Sequence, residues 1–155
     1  MFVEQMNKKG VTLIELVVVF VVIAIMAGLL LPNIGAWLPN YRLRSATRDI
    51  VSTMRTAQMR AVSTNTRYRV DFSPANNNYV LQYQTTLGAW VNEGTTQNLP
   101  IGITFINADF GGASQAVFNP NSTSSGGSVE LQNEKKKIQR SITLTPATGR
   151  VRIVD

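Results

Sequence analysis

Lys8-Lys9-Gly10-Val11-Thr12-Leu13-Ile14-Glu15, followed by the uncharged run Leu16 to Leu31 (LVVVFVVIAIMAGLLL), decides how the rest of the 155-residue chain is read. At about 1.5 Å per residue the run covers roughly 24 Å, against a hydrocarbon core of roughly 30 Å. Adding Val11 to Ile14 brings it to spanning length and puts Glu15 in or beside the hydrocarbon. A lone carboxylate there costs about 2.5–3.5 kcal/mol, so it needs a partner. A cut after Gly10 would leave a new α-amino group on Val11, four residues before Glu15 and, in a continuous helix, on the same face. An amine of ordinary pKa about 8 could then neutralise Glu15 within one subunit or between neighbours. Alternatively, Glu15 marks the outer edge of a simple signal anchor and snorkels to the interface. Lys8 and Lys9 ahead of the run predict a cytoplasmic leader and an exported C-terminal part. An ordinary secretory signal would carry a shorter apolar region ending in a small-x-small site, which is not found here.

Composition bounds the exported part. The chain is long enough for one modest domain plus a helical stalk. With Cys 0 it has no disulfide and relies on packing, and with His 0 it lacks the commonest acid/base group and metal ligand. Lys+Arg 15 against Asp+Glu 9 gives a formal charge of +6, and losing residues 1–10, with two lysines against one glutamate, removes only one unit of it. Such a balance serves solubility and also suits anionic partners.

From Asn33 to about Asn65 the pattern is that of an amphipathic helix. Leu43, Ala46, Ile50, Met54, Ala57 and Ala61 recur every three or four residues and form one apolar stripe. The stripe packs either on the sheet of its own domain or on stalks of neighbours. Arg44, Arg48 and Arg55 fall on a solvated side, and Arg42, Arg44, Arg48, Arg55 and Arg60 read as a solvated face with interface ion pairs. Pro32 and Pro39 lack an amide proton and predict a kink or a melted turn.

After Thr64 the period changes to two. Tyr68 to Phe72 and Tyr79 to Gln84 alternate around Ser-Pro-Ala-Asn-Asn-Asn and predict a β-hairpin. Further strands are expected at Leu87 to Val91, Ile101 to Ile106, Ala116 to Phe118, Val129 to Leu131, Arg140 to Thr145 and Gly149 to Val154. Ser122 to Ser128 reads as a flexible loop within the domain. The only constellation with chemical potential is basic: Lys135, Lys136 and Lys137 with Arg140 at a turn, and Arg150 and Arg152 alternating on the last strand. It reads either as an exposed hairpin tip with a charged edge strand, or as a patch that grips phosphate through arginine forks.

The leader with Lys8 and Lys9, Gly10, Thr12-Leu13-Ile14-Glu15 and the apolar helix resembles the prepilin leader of type IV pilins and type II secretion pseudopilins. Val11 stands where most members carry phenylalanine. Val117-Phe118-Asn119-Pro120, the Ser/Gly loop, Gly127 to Leu131, Ile142-Thr143-Leu144 and Gly149 to Ile153 resemble the C-terminal pattern of the H-type minor pseudopilins, the GspH/FimT family. The resemblance implies an α+β fold of the type IV pilin kind, a long N-terminal transmembrane and stalk α-helix packed on a small antiparallel β-sandwich. It divides the chain into a leader at 1–10, a transmembrane helix at 11–38, a stalk at 39–66 and a β-domain at 67–155. It further implies a membrane prepilin peptidase cutting between Gly10 and Val11, N-methylation of Val11, and assembly roles for Glu15 and Pro32. The implied setting is the bacterial inner membrane, with a single pass, the C-terminal domain in the periplasm and, after assembly, a place at a filament tip.

Catalytic chemistry finds no footing. No nucleophile–base arrangement or phosphate loop stands out, and Asp71, Glu93, Asp109, Glu130 and Glu134 lack the spacing of a calcium loop. No enzyme activity, cofactor or metal is expected. Two functions remain. In the first, the chain is a minor pseudopilin of a type II secretion system or of type IV pilus assembly, supporting export with other major and minor subunits, secreted cargo and the secretin as partners. In the second, it is a FimT-like minor type IV pilin that binds DNA for natural transformation through Lys135, Lys136, Lys137, Arg140, Arg150 and Arg152, the last two within a Gly-Arg-x-Arg segment that resembles the DNA-binding branch.

Overall fold

The computed structural model describes residues 10–30, 34–135 and 137–154. Pro32 and Lys136 therefore lie outside the described residues, as does the leader before Gly10. The chain forms two compact units, one through Trp37 and the other Leu38–Asp155.

In the first unit, helix α1 spans Leu13–Leu30. Thr12 caps it: the Glu15 amide donates to Thr12 Oγ1 at 3.3 Å, and the Leu16 amide donates to the Thr12 carbonyl at 3.2 Å. This satisfies one of the orphan donors of the first turn, and the Glu15 carboxylate meets the positive end of the helix dipole. Eighteen residues rise about 27 Å, and among the described residues no helix is long and apolar enough to cross a membrane. Val17, Phe20, Val21, Ile25 and Met26, spread around the helix, are all exposed. An α-helix that is apolar all round normally lies within lipid or other protein.

Helix α2, Ile34–Ser63, carries Pro39 within its first turns. Pro39 removes the amide that would reach the carbonyl four residues back, yet the backbone stays helical through it, so the melted turn expected there is absent. Leu43, Ala46, Ile50, Met54, Ala57 and Ala61 are all buried, and Arg44, Arg48 and Arg55 are exposed, as the spacing predicts. Between Leu43 and Ala61 the stripe joins the β-domain core. Thr47 is fully buried because its hydroxyl donates back to the Leu43 carbonyl at 2.7 Å.

Among the described residues nine strands follow: β1 Tyr68–Ser73, β2 Asn78–Gln84, β3 Trp90–Asn92, β4 Gln97–Asn98, β5 Ile103–Asp109, β6 Gln115–Phe118, β7 Gly127–Asn133, β8 Gln139–Leu144 and β9 Val151–Val154. One antiparallel sheet runs β3-β2-β1-β6 with β4 also on β2; the other runs β5-β7-β8-β9. The expected hairpin is β1 and β2, with Tyr68 opposite Tyr83 and Ser73 opposite Asn78. Its turn is a 3-10 segment, Pro74–Asn76, ended by Asn77 in the left-handed region.

Three strand boundaries are corrected. Leu87 lies in a tight turn, where the Gly88 amide donates to Thr85 and Gly88 has φ 84°, so β3 starts only at Trp90. Ile101 is exposed beside Gly102 at φ 82°, and β5 starts at Ile103 and runs on to Asp109 through a bulge between Phe105 and Asn107. Gly149 and Arg150, expected within the last strand, precede β9. The two-residue β4 was not anticipated in its polar setting.

The two sheets and α2 share one core. Phe72 of β1 stands edge-on to Phe105 of β5 at 5.7 Å between centroids and stacks on Phe110 at 5.5 Å, joining the sheets. Such aromatic pairs contribute about 0.5–1.5 kcal/mol beyond area burial.

Candidate functional site

At the amino end, Gly10 and Val11 lie outside helix α1 and are exposed, Val11 at 72%. Because the helix begins after Thr12, Val11 is not on a helical face with Glu15, and the four-residue relation drawn from the sequence does not hold in this conformation. The Glu15 side chain is exposed, as Val11 is. Thr12, the helix cap, is the residue the sequence reading missed; threonine three positions before glutamate, ahead of an apolar run, is the signal that marks it.

The basic residues do not form one cluster. Lys135 and Lys137 are exposed on the β7–β8 turn, whose shape is set by Asn133: its carbonyl accepts the Lys137 amide at 2.9 Å and its side-chain oxygen the Lys135 amide at 3.0 Å. Arg140 sits opposite Leu131, on the inward side of β8 with buried Ile142 and Leu144, and lines a small cleft with Asn40, Leu43 and Arg44 of α2. Arg150 and Arg152 are exposed at the far end of β8, on the outward side with Thr145 and Thr143. The length of β8, about 17 Å at 3.3 Å per residue, separates the lysine turn from Arg150. Arg150 and Arg152 stand together, as alternate residues facing one way.

Gly149 sets the position of that pair. It has φ +60°, and a Cβ there would lie 2.6 Å from Gln58 Nε2 and 2.9 Å from the Ser122 carbonyl oxygen. Gln58 in turn donates to the Thr148 carbonyl at 3.0 Å, so the β8–β9 turn is pinned to α2. The glycine before Arg150 is required by this close approach.

Among the described residues, two larger clefts also flank α2. One, of about 500 Å³, lies toward β2 and is lined by Asp49, Thr53, Tyr79, Glu93 and Gln97 among others. Glu93 pairs with Arg60 through one carboxylate oxygen, while the other is buried without a hydrogen-bond partner. Burial pushes the Tyr79 phenol above its ordinary value; a hydrogen bond with Thr53 opposes the shift and the Asp49 carboxylate adds to it. The second cleft, of about 340 Å³, lies toward β9 and is lined by Arg48, Val51, Arg55, Met59 and Ile153. Neither holds a nucleophile beside a base, and among the described residues no group of three or more carboxylates could hold a metal ion.

On the outer face of β1, Arg69 donates to Gln82 Oε1 at 2.6 Å and to Gln115 Oε1 at 2.8 Å, and lies 4.3 Å over the Trp90 ring. Burial lowers its guanidinium from the usual range, with the Asp71 carboxylate opposing. This is a cross-strand brace.

Comparison with known proteins agrees at both ends. Residues 5–31 match the prokaryotic N-terminal methylation motif, and residues 46–148, more than half of the chain, match the type II transport protein GspH family. No curated protein matches the chain in sequence at a significant level. Among solved structures, the minor pseudopilin EpsH from the type II secretion system of Vibrio cholerae superposes with a TM-score of 0.62 at 8% identity, covering 73% of this chain and 96% of that one. A second EpsH structure gives 0.60 at 12% identity, with 76% and 95% covered. The type IV minor pilin FimU of Pseudomonas aeruginosa gives 0.59 at 13%, with 75% and 90% covered. At such identities the likeness shows the fold, a helix packed on antiparallel sheets. From the match over residues 46–148, the chain belongs to the type II transport protein GspH family.

Proposed function

We propose that this chain is a minor pseudopilin that stands at the tip of a short periplasmic filament and supports protein export across the outer membrane. The family consists of structural subunits, and the chain is not an enzyme. In this reading a prepilin peptidase removes residues 1–10 and methylates Val11, α1 with its flanking residues anchors the chain in the inner membrane, and Glu15 docks against the terminal amine of a neighbouring subunit. The secretin and the secreted cargo are then partners of the exported domain. The observation that carries the reading is one chain holding both the methylation motif at 5–31 and the GspH match at 46–148. The exposed Gly10–Val11 segment and the unpartnered apolar surface of α1 support it.

The test is co-expression with a prepilin peptidase and partner subunits. Intact mass should show a chain beginning at Val11 with one added methyl group, and Gly10→Val should keep the leader. Glu15→Gln should still be cut but co-purify with partner subunits at least tenfold less. Wild-type recovery of Glu15→Gln would remove the docking role.

The exposed Arg150–Arg152 pair favours one second reading, a minor pilin that captures DNA. A titration of the full chain in detergent with duplex DNA at two salt concentrations, beside Arg150→Ala/Arg152→Ala, separates the readings. Salt-weakened binding lost in the double variant supports capture. Equal binding by both proteins rejects it.

A further inference from the structure

The two sheets end in five outer strands, β3, β4, β6, β5 and β9, and an open strand edge is a template for another chain. Four of them are blunted. Strand β3 is only three residues long and β4 only two. On β6, Ser125 occupies the outer side: its amide donates to the Val117 carbonyl at 3.0 Å and its hydroxyl accepts the Val117 amide at 3.2 Å. On β5, the Phe105 amide donates to Asn77 Oδ1 at 3.2 Å.

Strand β9 has no such cover among the described residues. The Thr145 amide donates to the Arg150 carbonyl at 3.0 Å, which turns the Arg150 backbone toward β8. In an antiparallel ladder the sense alternates, so Arg152 and Val154 also face β8 while the N–H and C=O of Val151 and Ile153 point outward. No hydrogen bond among the described residues reaches those outward groups.

The second cleft lies beside this edge. Arg48, Val51, Arg55 and Met59 of α2 meet Ile153 there, and no carboxylate lines it. A strand added to β9 would continue the sheet with its inward side chains on this flank of α2. Arg48 and Arg55 are about 10.5 Å apart along the helix axis, close to the roughly 13 Å between positions i and i+4 of a strand. An apolar residue at i+2 would then face Val51 and Ile153.

We infer that the β9 edge and the adjoining α2 groove take an extended acidic polypeptide segment as an added strand, with carboxylates at i and i+4 and an apolar residue between them. Duplex DNA is the poorer occupant. Its phosphates accept hydrogen bonds but cannot donate to the outward carbonyls of Val151 and Ile153, whereas a peptide backbone does both. The inference rests on the subunit reading, since it names the segment such a subunit would take from a partner, but binding here is measured without cleavage or assembly, so either can fail alone.

The probe is a capped Thr-Glu-Thr-Val-Thr-Glu-Thr peptide added to the full chain in detergent micelles, with amide hydrogen exchange as readout. Binding should slow exchange at Val151 and Ile153. Ile153→Pro removes an outward amide together with the Ile153 side chain and leaves the hydrogen bonds of Arg152 and Val154 to β8 in place; it should weaken binding at least tenfold, and well beyond Ile153→Ala, which keeps the amide. Arg48→Glu/Arg55→Glu, on the exposed helix surface, should reverse the preference toward the same peptide with lysine for glutamate, and decides the matter if Ile153→Pro fails to fold. Unchanged exchange at Val151 and Ile153, undiminished binding by folded Ile153→Pro, or the charge reversal leaving the peptide preference intact would overturn the inference. So would duplex DNA that protects the same amides and displaces the peptide.

Discussion

Tyr79 shows how burial at one residue reaches stability. It is 5% exposed, and its phenol lies above the ordinary value because burial disfavours the phenolate. Below the unfolded value of about 10, both states carry a neutral phenol and pH has no leverage through it. Above that value the unfolded chain loses the proton first, so it binds fewer protons than the folded chain and stability falls as pH rises toward the folded value. Tyr79→Phe should therefore lose less stability than the wild type between about pH 9 and 11, read from denaturant midpoints. Parallel alkaline slopes would show that the phenol titrates alike in both states. Nothing in the sequence near Tyr79 announces this, because Asp49 and Thr53 come from α2. The same limit applies to Gly149: Gly-Arg is visible in the sequence, but the contact that demands glycine comes from Gln58.

Among the elements, α2 was the most legible. The three- and four-residue spacing of Leu43, Ala46, Ile50, Met54, Ala57 and Ala61 named its buried face, and all six are at most 2% exposed. Two methionines five residues apart test that division. Met54→Ala should cost about 2–5 kcal/mol through lost burial and a residual cavity. Met59→Ala, at a position 65% exposed, should stay within about 0.5 kcal/mol. Equal losses in chemical denaturation would mean that the exposed flank of α2 is covered in solution. Strands were less legible at their ends. Leu87 and Ile101 look like strand residues by type, but the glycine after each takes a left-handed conformation and makes the segment a turn. Strand β4 had no apolar signal because Gln97 and Asn98 pair with β2 at the surface, through backbone alone. For the basic residues, spacing established that Arg150 and Arg152 share a side, while the separation of the lysine turn from them followed only from the direction of β8.

At the scale of the whole molecule, the core of the unit Leu38–Asp155 is built, among the described residues, from Leu43 onward. The unit Leu38–Asp155 holds both sheets and the buried stripe of α2, together with the contacts that fix the near end of that helix: Arg42 to the Ile101 carbonyl at 3.1 Å and Asn133 Nδ2 to the Pro39 carbonyl at 3.2 Å. The described apolar side chains of α1, in the other unit, are exposed, a surface that favours association in water. A chain starting at Leu38 should therefore fold cooperatively, remain monomeric in plain buffer and melt within a few degrees of the full chain in detergent, because that unit by itself holds both sheets and the buried stripe. Sedimentation and thermal unfolding followed by near-ultraviolet circular dichroism measure both properties. If the truncated chain melts far lower or without a cooperative transition, α1 supports the domain directly, and its apolar surface serves folding as well as anchorage. If it melts as the full chain does, that surface is left for lipid and neighbouring helices, the division of labour that a membrane-anchored filament subunit requires.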